Sequence, residues 1–221
     1  MDTSSSPLLL AAEKDGRTVC ARRKGIKQEK LLFPVLEKVL GKLDAQLKDV
    51  SRVCIVRGPG RFTGIRISLT FASMLKELNQ TRVYGVTVFD ALYRQNKNSR
   101  AFTAWRKTHA DGVMAVILHA FREEYFLQIF GEQESAPAWL SRTELQRTLA
   151  EYKNPLFIVG TDKNFASLTE LAGSYGTLAP FTSCRVRAAQ LFACCDDETC
   201  AQQALEPLYL KPARFELVKP L

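Results

Sequence analysis

The chain has 221 residues, a formal net charge of +8 and 46% apolar residues. This length and apolar fraction suit one large folded domain or two smaller ones, and they exclude a disordered chain and a small disulfide-stapled fold. The longest uncharged apolar run, between Val113 and Ala120, is too short to span a bilayer, and no basic segment precedes an apolar stretch at the amino terminus. We therefore expect a cytoplasmic protein with no membrane partner.

The cysteines and the positive charge indicate little about function by themselves. A chain of this length needs no disulfide to fold, and its cysteines lack the spacing of a disulfide framework, which favours reduced thiols. Positive charge is concentrated between Arg22 and Lys30, which favours an acidic or nucleic-acid partner. Aromatic residues do not alternate with these charges, so an RNA-binding module acting alone is the weaker alternative. The six cysteines are Cys20, Cys54, Cys184, Cys194, Cys195 and Cys200.

The first third of the chain predicts a β-hairpin followed by a helix. Two short strands, 8–12 and 18–21, flank Asp15-Gly16, a pair typical of a tight hairpin turn. Between residues 28 and 48, apolar residues recur every three or four positions, which predicts one amphipathic helix. Its apolar positions are Leu32, Val35, Leu36, Val39, Leu40, Leu43 and Leu47.

A strand, a glycine-rich turn and a second helix come next. Residues 50–56 are β-branched and apolar, and Gly58-Pro59-Gly60 then makes a stiff turn into a helix over 62–79. Free amides at the start of that helix, beside Arg61 or Thr63, would suit an anion such as phosphate. A turn that simply packs is the alternative, and the spacing alone does not decide between the two.

The second helix is apolar over more of its circumference than one core requires. A helix that covers a sheet needs an apolar stripe over about a third of its surface. The remaining apolar residues must face another helix of the chain or a partner subunit, and the sequence leaves both open. The helix is apolar at Ile65, Leu69, Ala72 and Leu75, and also at Ile67, Phe71, Met74 and Leu78.

The rest of the chain continues to alternate strands and helices, which indicates an α/β fold. Residues 83–88 read as a strand, and the basic segment 93–107 as a helix end with a connection, so we place a lobe boundary near Arg100. The predicted lobes are residues 1–100 and 101–221. In the second lobe we predict strands at 113–119, 125–130 and 156–159, and helices at 143–152, 165–172 and 186–195.

No catalytic or metal-binding residue can be assembled from the sequence. His109 and His119 stand singly, and the cysteines from Cys194 to Cys200 lack a second pair at zinc-finger spacing. The adjacent Glu123 and Glu124 point in different directions and suit a solvated loop better than an acid–base pair. We therefore predict no catalytic residues, no metal site and no cofactor of the chain's own.

Several motifs, taken in order, resemble the bacterial TsaB (YeaZ) family. The segment from Gly58 to Arg66 reads GPGRFTGIR, which is close to the family's GPGSFTG-L-R. Residues 83–92 come after it, in the position where the family has GV-S-S-L-E-A-L. Asp2-Thr3-Ser4 opens the chain, and residues 29–34, 120–125 and 207–212 match further family segments in the same order. The resemblance covers nearly the whole chain.

This resemblance implies a two-lobe actin-like ATPase (ASKHA) fold with a reduced second lobe. In that superfamily the acidic turn that Asp2 matches addresses nucleotide phosphates and their metal. Family members carry about four apolar residues before the aspartate, as the first strand, whereas only Met1 precedes Asp2 here. The first lobe is therefore expected to lack its first strand, and we expect either a start codon assigned too late or a shortened protein.

The function that the resemblance implies is that of an accessory subunit. TsaB-like proteins support the threonylcarbamoyltransferase TsaD, which works with the ATPase TsaE on tRNA, and ATP and magnesium are used by that complex. The two helices are expected to pair with TsaD or with a second copy of the chain. The implied interface positions are Leu32, Val35, Leu36, Val39, Ile65, Leu69, Ala72 and Lys76, and the positions for an anion or nucleotide are Asp2, Gly58, Gly60, Arg61, Thr63 and Lys27.

Two positions depart from the family pattern. Arg61 replaces the family's serine, and Lys27 replaces its histidine, so both departures add a cation that would favour phosphate or the tRNA backbone. The alternative function, an actin-like ATPase or kinase acting alone, needs a second phosphate loop. Gly160-Thr161-Asp162 is the candidate for it, and it lacks a glycine after the aspartate.

Overall fold

A computed structural model describes residues 1–25, 28–161, 165–202 and 205–211. The chain divides into two compact units. The first comprises Met1–Val88 with Arg187–Leu208, and the second comprises Phe89–Val186 with the described residues from Tyr209 onwards. The first unit thus includes a segment from near the end of the chain. Arg100, where the sequence suggested a boundary, lies inside the second unit.

Strands and helices alternate along the described chain, as the sequence predicted. The first unit's elements up to residue 88 are β1 (Leu8–Lys14), β2 (Arg17–Arg23), α1 (Gln28–Gly41), β3 (Arg52–Val56), α2 (Phe62–Asn79) and β4 (Arg82–Val86). Next come α3 (Val88–Asn96), α4 (Arg100–Arg106), β5 (Val113–His119), β6 (Glu124–Phe130), β7 (Ala138–Ser141), α5 (Arg142–Glu151), β8 (Leu156–Val159), α6 (Phe165–Tyr175), β9 (Thr177–Leu178), α7 (Ala188–Cys194) and α8 (Thr199–Gln202). No helix among these described residues is long and apolar enough to cross a membrane.

The predicted hairpin is confirmed. Strands β1 and β2 pair antiparallel from Leu8 opposite Arg23 to Lys14 opposite Arg17. The turn between them has φ of 51° at Asp15 and 73° at Gly16. Positive φ at both central residues suits an aspartate–glycine pair and matches the twist of the flanking strands.

Two residues at the start of the chain bond to two different strands. The amide of Val56 in β3 donates to the carbonyl oxygen of Met1 at 3.0 Å, and the amides of Asp2 and Leu9 exchange hydrogen bonds at 2.8 and 2.9 Å. Met1 and Asp2 therefore link the β1–β2 pair to the parallel β3–β4 pair.

Helix α1 is shorter than the sequence predicted. It ends at Gly41 instead of Lys48, and a turn with Asp44 at φ 49° follows. Leu43, beyond the helix end, is still only 3% exposed. The apolar periodicity continues past the end of the helix because the following turn packs on the same core. The pattern therefore indicated which residues are buried, but not where the helix ends.

The strand predicted over 83–88 ends two residues early, and Val88 begins α3. The reason is a bond outside the sheet, in which the amide of Val88 donates to the carbonyl oxygen of Gly58 at 2.8 Å. The glycine-rich turn thereby holds the start of α3. The helix predicted over 62–79 is confirmed at both ends as α2.

The core of the first unit lies between the strands and the inner faces of α1 and α2. Buried side chains from β1, β3, α1 and α2, together with Met1, form one cluster, supplemented by partly buried neighbours such as Leu36 and Leu69. The cluster is Met1, Leu8, Leu10, Leu32, Val35, Val39, Ile55, Phe71, Ala72 and Leu75. A core of this composition supplies the apolar burial that holds the two helices on the strands.

The second unit is built on a five-stranded sheet with the order β7-β6-β5-β8-β9. The strands predicted from sequence form its centre, since β5 pairs antiparallel with β6 and parallel with β8. The sequence missed β7 and β9, which flank them. Edge strands of four and two residues are too short to show an alternating pattern.

Helix α5 begins with a complete capping box. The hydroxyl of Ser141 donates to Oε2 of Glu144 at 2.6 Å, and the amide of Ser141 donates to the same oxygen at 2.8 Å. The amide of Glu144 in turn donates to the Ser141 hydroxyl at 3.3 Å. These bonds, with the Ser141 hydroxyl first, lower the pKa of Glu144.

We expect Ser141→Ala to lower the melting temperature by about 2–4 °C at pH 7, because the helix cap and the hydroxyl's bond to the Glu144 carboxylate are lost together, while the bond from the backbone amide remains. A carboxylate whose pKa is lower in the folded than in the unfolded protein stabilises the folded state at pH values above its unfolded pKa. This stabilisation is lost as the pH falls through its folded-state pKa. The difference between variant and wild type should therefore shrink below about pH 4, as measured by thermal unfolding at several pH values. Thr143→Ala, in the same turn but outside the box, is the control, and an equal pH dependence in both variants would contradict the assignment.

Candidate functional site

The two loops singled out in the sequence are in direct contact. The amide of Arg61 donates to the carbonyl oxygen of Ser4 at 2.7 Å, and the hydroxyl of Thr3 donates to the carbonyl oxygen of Gly64 at 2.6 Å. Thr3 and Ser4 are fully buried by these contacts. The acidic turn at the start of the chain is therefore bonded to the turn that opens α2.

Protein backbone explains both glycines of this turn. A Cβ on Gly60 would lie 2.4 Å from the carbonyl oxygen of Ser4, and a Cβ on Gly58 would lie 2.5 Å from that of Leu208. Gly58 also has φ of +124°, which side chains rarely allow. Because the chain itself occupies the space beside each glycine, the glycines give no independent support for a bound phosphate.

The residues predicted to contact an anion are only partly brought together. Asp2 is 6% exposed, and its Oδ1 accepts from the amide of Ser4 at 2.9 Å and from the Ser4 hydroxyl at 2.7 Å. Arg61 and Thr63 are exposed at the start of α2. Lys27 lies outside the described residues. The loop thus presents a cation and a hydroxyl to solvent beside a buried carboxylate that is already hydrogen bonded.

Most of the predicted interface residues face the unit's own core. Leu36, Leu69 and Lys76 reach the surface to some degree. The other five are 7% exposed or less and have little area left to bury against a partner. These five are Leu32, Val35, Val39, Ile65 and Ala72.

Other apolar side chains on the same two helices are exposed instead. Phe33 of α1 is 48% exposed, and Phe62 and Leu78 of α2 are 54% and 75% exposed. Phe33 also packs its ring edge against Phe71, with centroids 6.1 Å apart. We call the exposed and half-buried large apolar residues of the two helices the helix surface. It comprises Leu31, Phe33, Leu36, Phe62, Ile67, Leu69, Met74 and Leu78.

Sequence reasoning missed Phe33 and Phe62 as surface residues. Leu78 and Met74 belonged to the second apolar stripe of α2, which was the available signal. Phe33 directly follows the buried Leu32, and Phe62 is the first residue of α2. Apolar periodicity does not separate such positions from the core.

The titratable residues considered for catalysis have structural partners. The ring of His109 stacks on Trp105 with centroids 4.5 Å apart, and the Nε2 of His119 lies 2.7 Å from the carbonyl oxygen of Arg122. Glu123 pairs with Arg142 at 3.2 Å, and Glu124 with Lys211. No group of three or more histidine, cysteine, aspartate or glutamate residues in the described part of the chain is placed to hold a metal ion.

The candidate second phosphate loop is shaped by packing. A Cβ on Gly160 would lie 1.8 Å from Cδ1 of Leu168 in α6 and 3.1 Å from the carbonyl oxygen of Ile117. A glycine is needed there so that the helix can approach the sheet. Asp162, the third residue of the candidate loop, lies outside the described residues.

Curated relatives match the chain over different lengths. The TsaB protein of Bacillus subtilis is 21% identical over 98% of this chain and 94% of its own, and that of Escherichia coli is 25% identical over 96% and 93%. The TsaB protein of Buchnera aphidicola is 30% identical over a shorter stretch, 39% of this chain and 37% of its own. Each is described as a tRNA threonylcarbamoyladenosine biosynthesis protein.

Solved structures and a family model agree with these relatives. YeaZ from Pseudomonas aeruginosa superposes with a TM-score of 0.66 at 21% identity, covering 95% of this chain and 97% of that one, so the two share a fold. The model of TsaD, described as tRNA N6-adenosine threonylcarbamoyltransferase, matches residues 26–103. The mixed α/β fold and the matches along the chain confirm the resemblance predicted from the motifs, which is to the TsaB (YeaZ) family.

Proposed function

We propose that the chain is a non-catalytic subunit of the machinery that makes threonylcarbamoyladenosine in tRNA, and that it binds a TsaD-like threonylcarbamoyltransferase. The observation that carries the proposal is the helix surface on α1 and α2. The relatives named for this biosynthesis, which match nearly the full chain, support the pathway.

The exposure of the helix surface has a cost unless a partner covers it. Burying apolar area contributes about 25 cal/mol per Å², so leaving three large side chains half exposed forfeits several kcal/mol. Large apolar residues clustered on adjacent elements mark interaction sites more often than single exposed ones do. Met74 and Leu78 lie on the side of α2 that also carries Phe71. The ring of Phe71 contacts Phe33 of α1, so apolar side chains of both helices meet on that side. Phe62 and Leu69 are exposed or half-buried on the opposite flank of α2.

The match to the TsaD model favours a partner of related structure. It covers 26–103, the segment that contains α1 and α2, and not the second half of the chain. A catalytic subunit related in that segment would carry two equivalent helices. Helix pairs of the same kind can pack against each other about an approximate two-fold axis, and two copies of this chain could pair in the same manner.

The partners supply the catalytic groups, the ATPase and the tRNA. The TsaD-like subunit carries the catalytic groups, a TsaE-like ATPase uses ATP with magnesium, and tRNA binds through the assembled complex in the cytoplasm. This chain contributes binding energy and orientation. We expect it to need no cofactor of its own.

The first test is association of this chain with the TsaD-like protein of the same organism, followed by size-exclusion chromatography with light scattering. We expect a defined complex, and we expect Leu78→Glu to weaken it about ten-fold or more, because a charge replaces an apolar contact in the interface. Titration of the labelled partner measures the change in Kd.

The matched control is Phe121→Glu, which changes a side chain of similar exposure, 50%, in the second unit. Equal thermal stability of both variants would show that each is folded. If the two folded proteins do not associate, with or without TsaE and ATP, the proposal is wrong. If both variants weaken the complex equally, the interface does not lie on the helix surface. A homodimer lost with Leu78→Glu would assign the surface to self-association.

A second test concerns the anion contact at Arg61. We expect Arg61→Ser to weaken tRNA binding by the complex about two- to five-fold at low salt and to reduce the slope of log affinity against log salt by about one, because one phosphate contact is lost. Fluorescence anisotropy with labelled tRNA measures both quantities. Arg147→Ser, an exposed cation on α5, is the control, and an unchanged salt slope for Arg61→Ser would exclude the contact.

A further inference from the structure

Three cysteines of the first unit come together although they lie far apart in the chain. Cys54 is in β3, while Cys194 and Cys195 are at the end of α7, which packs on that strand. Arg52 of β3 is hydrogen bonded to the turn that follows α7. Its Nη1 donates to Oδ1 of Asp196 at 2.6 Å and to the carbonyl oxygen of Cys195 at 3.4 Å. Residues two apart in a strand point to the same face, so the Cys54 side chain is directed to the same turn as Arg52.

Two of these thiols share a cavity. Cys54 and Cys195 both line a cavity of about 300 Å³ whose walls include Met1, Leu10 and Leu191. Cys54 is 5% exposed, whereas Cys195 is half-buried and reaches solvent. A small solute can thus meet Cys195 first, with Cys54 behind it.

The pKa of Cys195 is lowered and that of Cys54 is raised, which suits an attacking thiolate at Cys195 and a resolving thiol at Cys54. Interaction with the Cys54 side chain lowers the pKa of Cys195, and the nearby Arg52 charge lowers it further, whereas burial opposes both effects. The Cys195 thiol itself donates to the carbonyl oxygen of Leu191 at 3.7 Å. Hydrogen bonds with Cys194 and Cys195, together with burial, raise the pKa of Cys54. Cys195 is therefore the better nucleophile, and Cys54 stays protonated.

We propose that Cys195 is a site of reversible oxidation by low-molecular-weight disulfides, and that Cys54 resolves the adduct into an internal disulfide. The Cys195 thiolate attacks one sulfur of glutathione disulfide, forms the mixed disulfide and releases glutathione thiolate. The Cys54 thiol then attacks the Cys195 sulfur, loses its proton to the departing glutathione and leaves a Cys54–Cys195 disulfide. Two protein thiols are oxidised, and one glutathione disulfide is reduced to two thiols.

The product would cross-link β3 to the returning segment Arg187–Leu208. Strand β3 leads into the turn at Gly58, and the backbone of Leu208 lies against that glycine, with its amide donating to the carbonyl oxygen of Arg57 at 2.8 Å. A covalent link between the two segments restricts their separation. Oxidation is thus expected to stabilise the first unit, and this holds whether or not the chain binds a partner.

The test is incubation of the full chain with glutathione disulfide, followed by tandem mass spectrometry without reduction. Wild type should give a Cys54–Cys195 linked peptide and a melting temperature about 5 °C or more above that of the reduced protein. Cys54→Ser should keep glutathione on Cys195 at least ten-fold longer than wild type does. Cys195→Ser should form no link to Cys54.

Cys20→Ser is the matched control, because Cys20 is exposed on β2 and outside this cluster. It should form the internal disulfide at the wild-type rate. A Cys54–Cys194 link would overturn the assignment of Cys195, and adducts on Cys20 alone, with no internal disulfide, would overturn the proposal. Unchanged melting temperatures of the reduced variants would show that each serine replacement leaves the fold intact.

Discussion

The close approach of two backbone segments, at Ser4 and at Gly60, is the constraint on which the first unit depends. The amide of Arg61 donates to the carbonyl oxygen of Ser4 at 2.7 Å, and there is no room for a side chain between them, since a Cβ on Gly60 would lie 2.4 Å from that oxygen. This contact fixes where α2 begins. Which side of α2 faces the strands then follows from the helical repeat.

The apolar residues of α2 differ in burial because the strands cover only one side of the helix. Ile65 and Ala72 are fully buried, whereas Phe62 and Leu78 are more than half exposed. An α-helix places successive residues about 100° apart, so an apolar surface wider than one stripe cannot all face the same sheet. The excess leaves apolar side chains of α2, such as Leu78, exposed.

The returning segment is held more by packing than by its ion pairs. Arg52 pairs with Asp196 at 2.6 Å and Arg82 with Glu198 at 2.8 Å, but these side chains are all more than half exposed. Exposed pairs contribute about 0–1 kcal/mol each, whereas burial of one leucine side chain contributes about 1.5–3 kcal/mol. Leu191, which is 3% exposed, therefore outweighs either pair in holding α7 on the strands.

The local elements and their order could be predicted from the sequence, including the hairpin, the bounds of α2 and the central strands β5, β6 and β8. Turn chemistry and apolar periodicity act over a few residues, so they can be read from the chain without its fold. Tertiary structure alone decided which apolar residues of α2 are buried, that the glycines accommodate backbone, and that Cys54 meets Cys195. These outcomes depend on contacts between residues far apart in the chain, which no local pattern encodes.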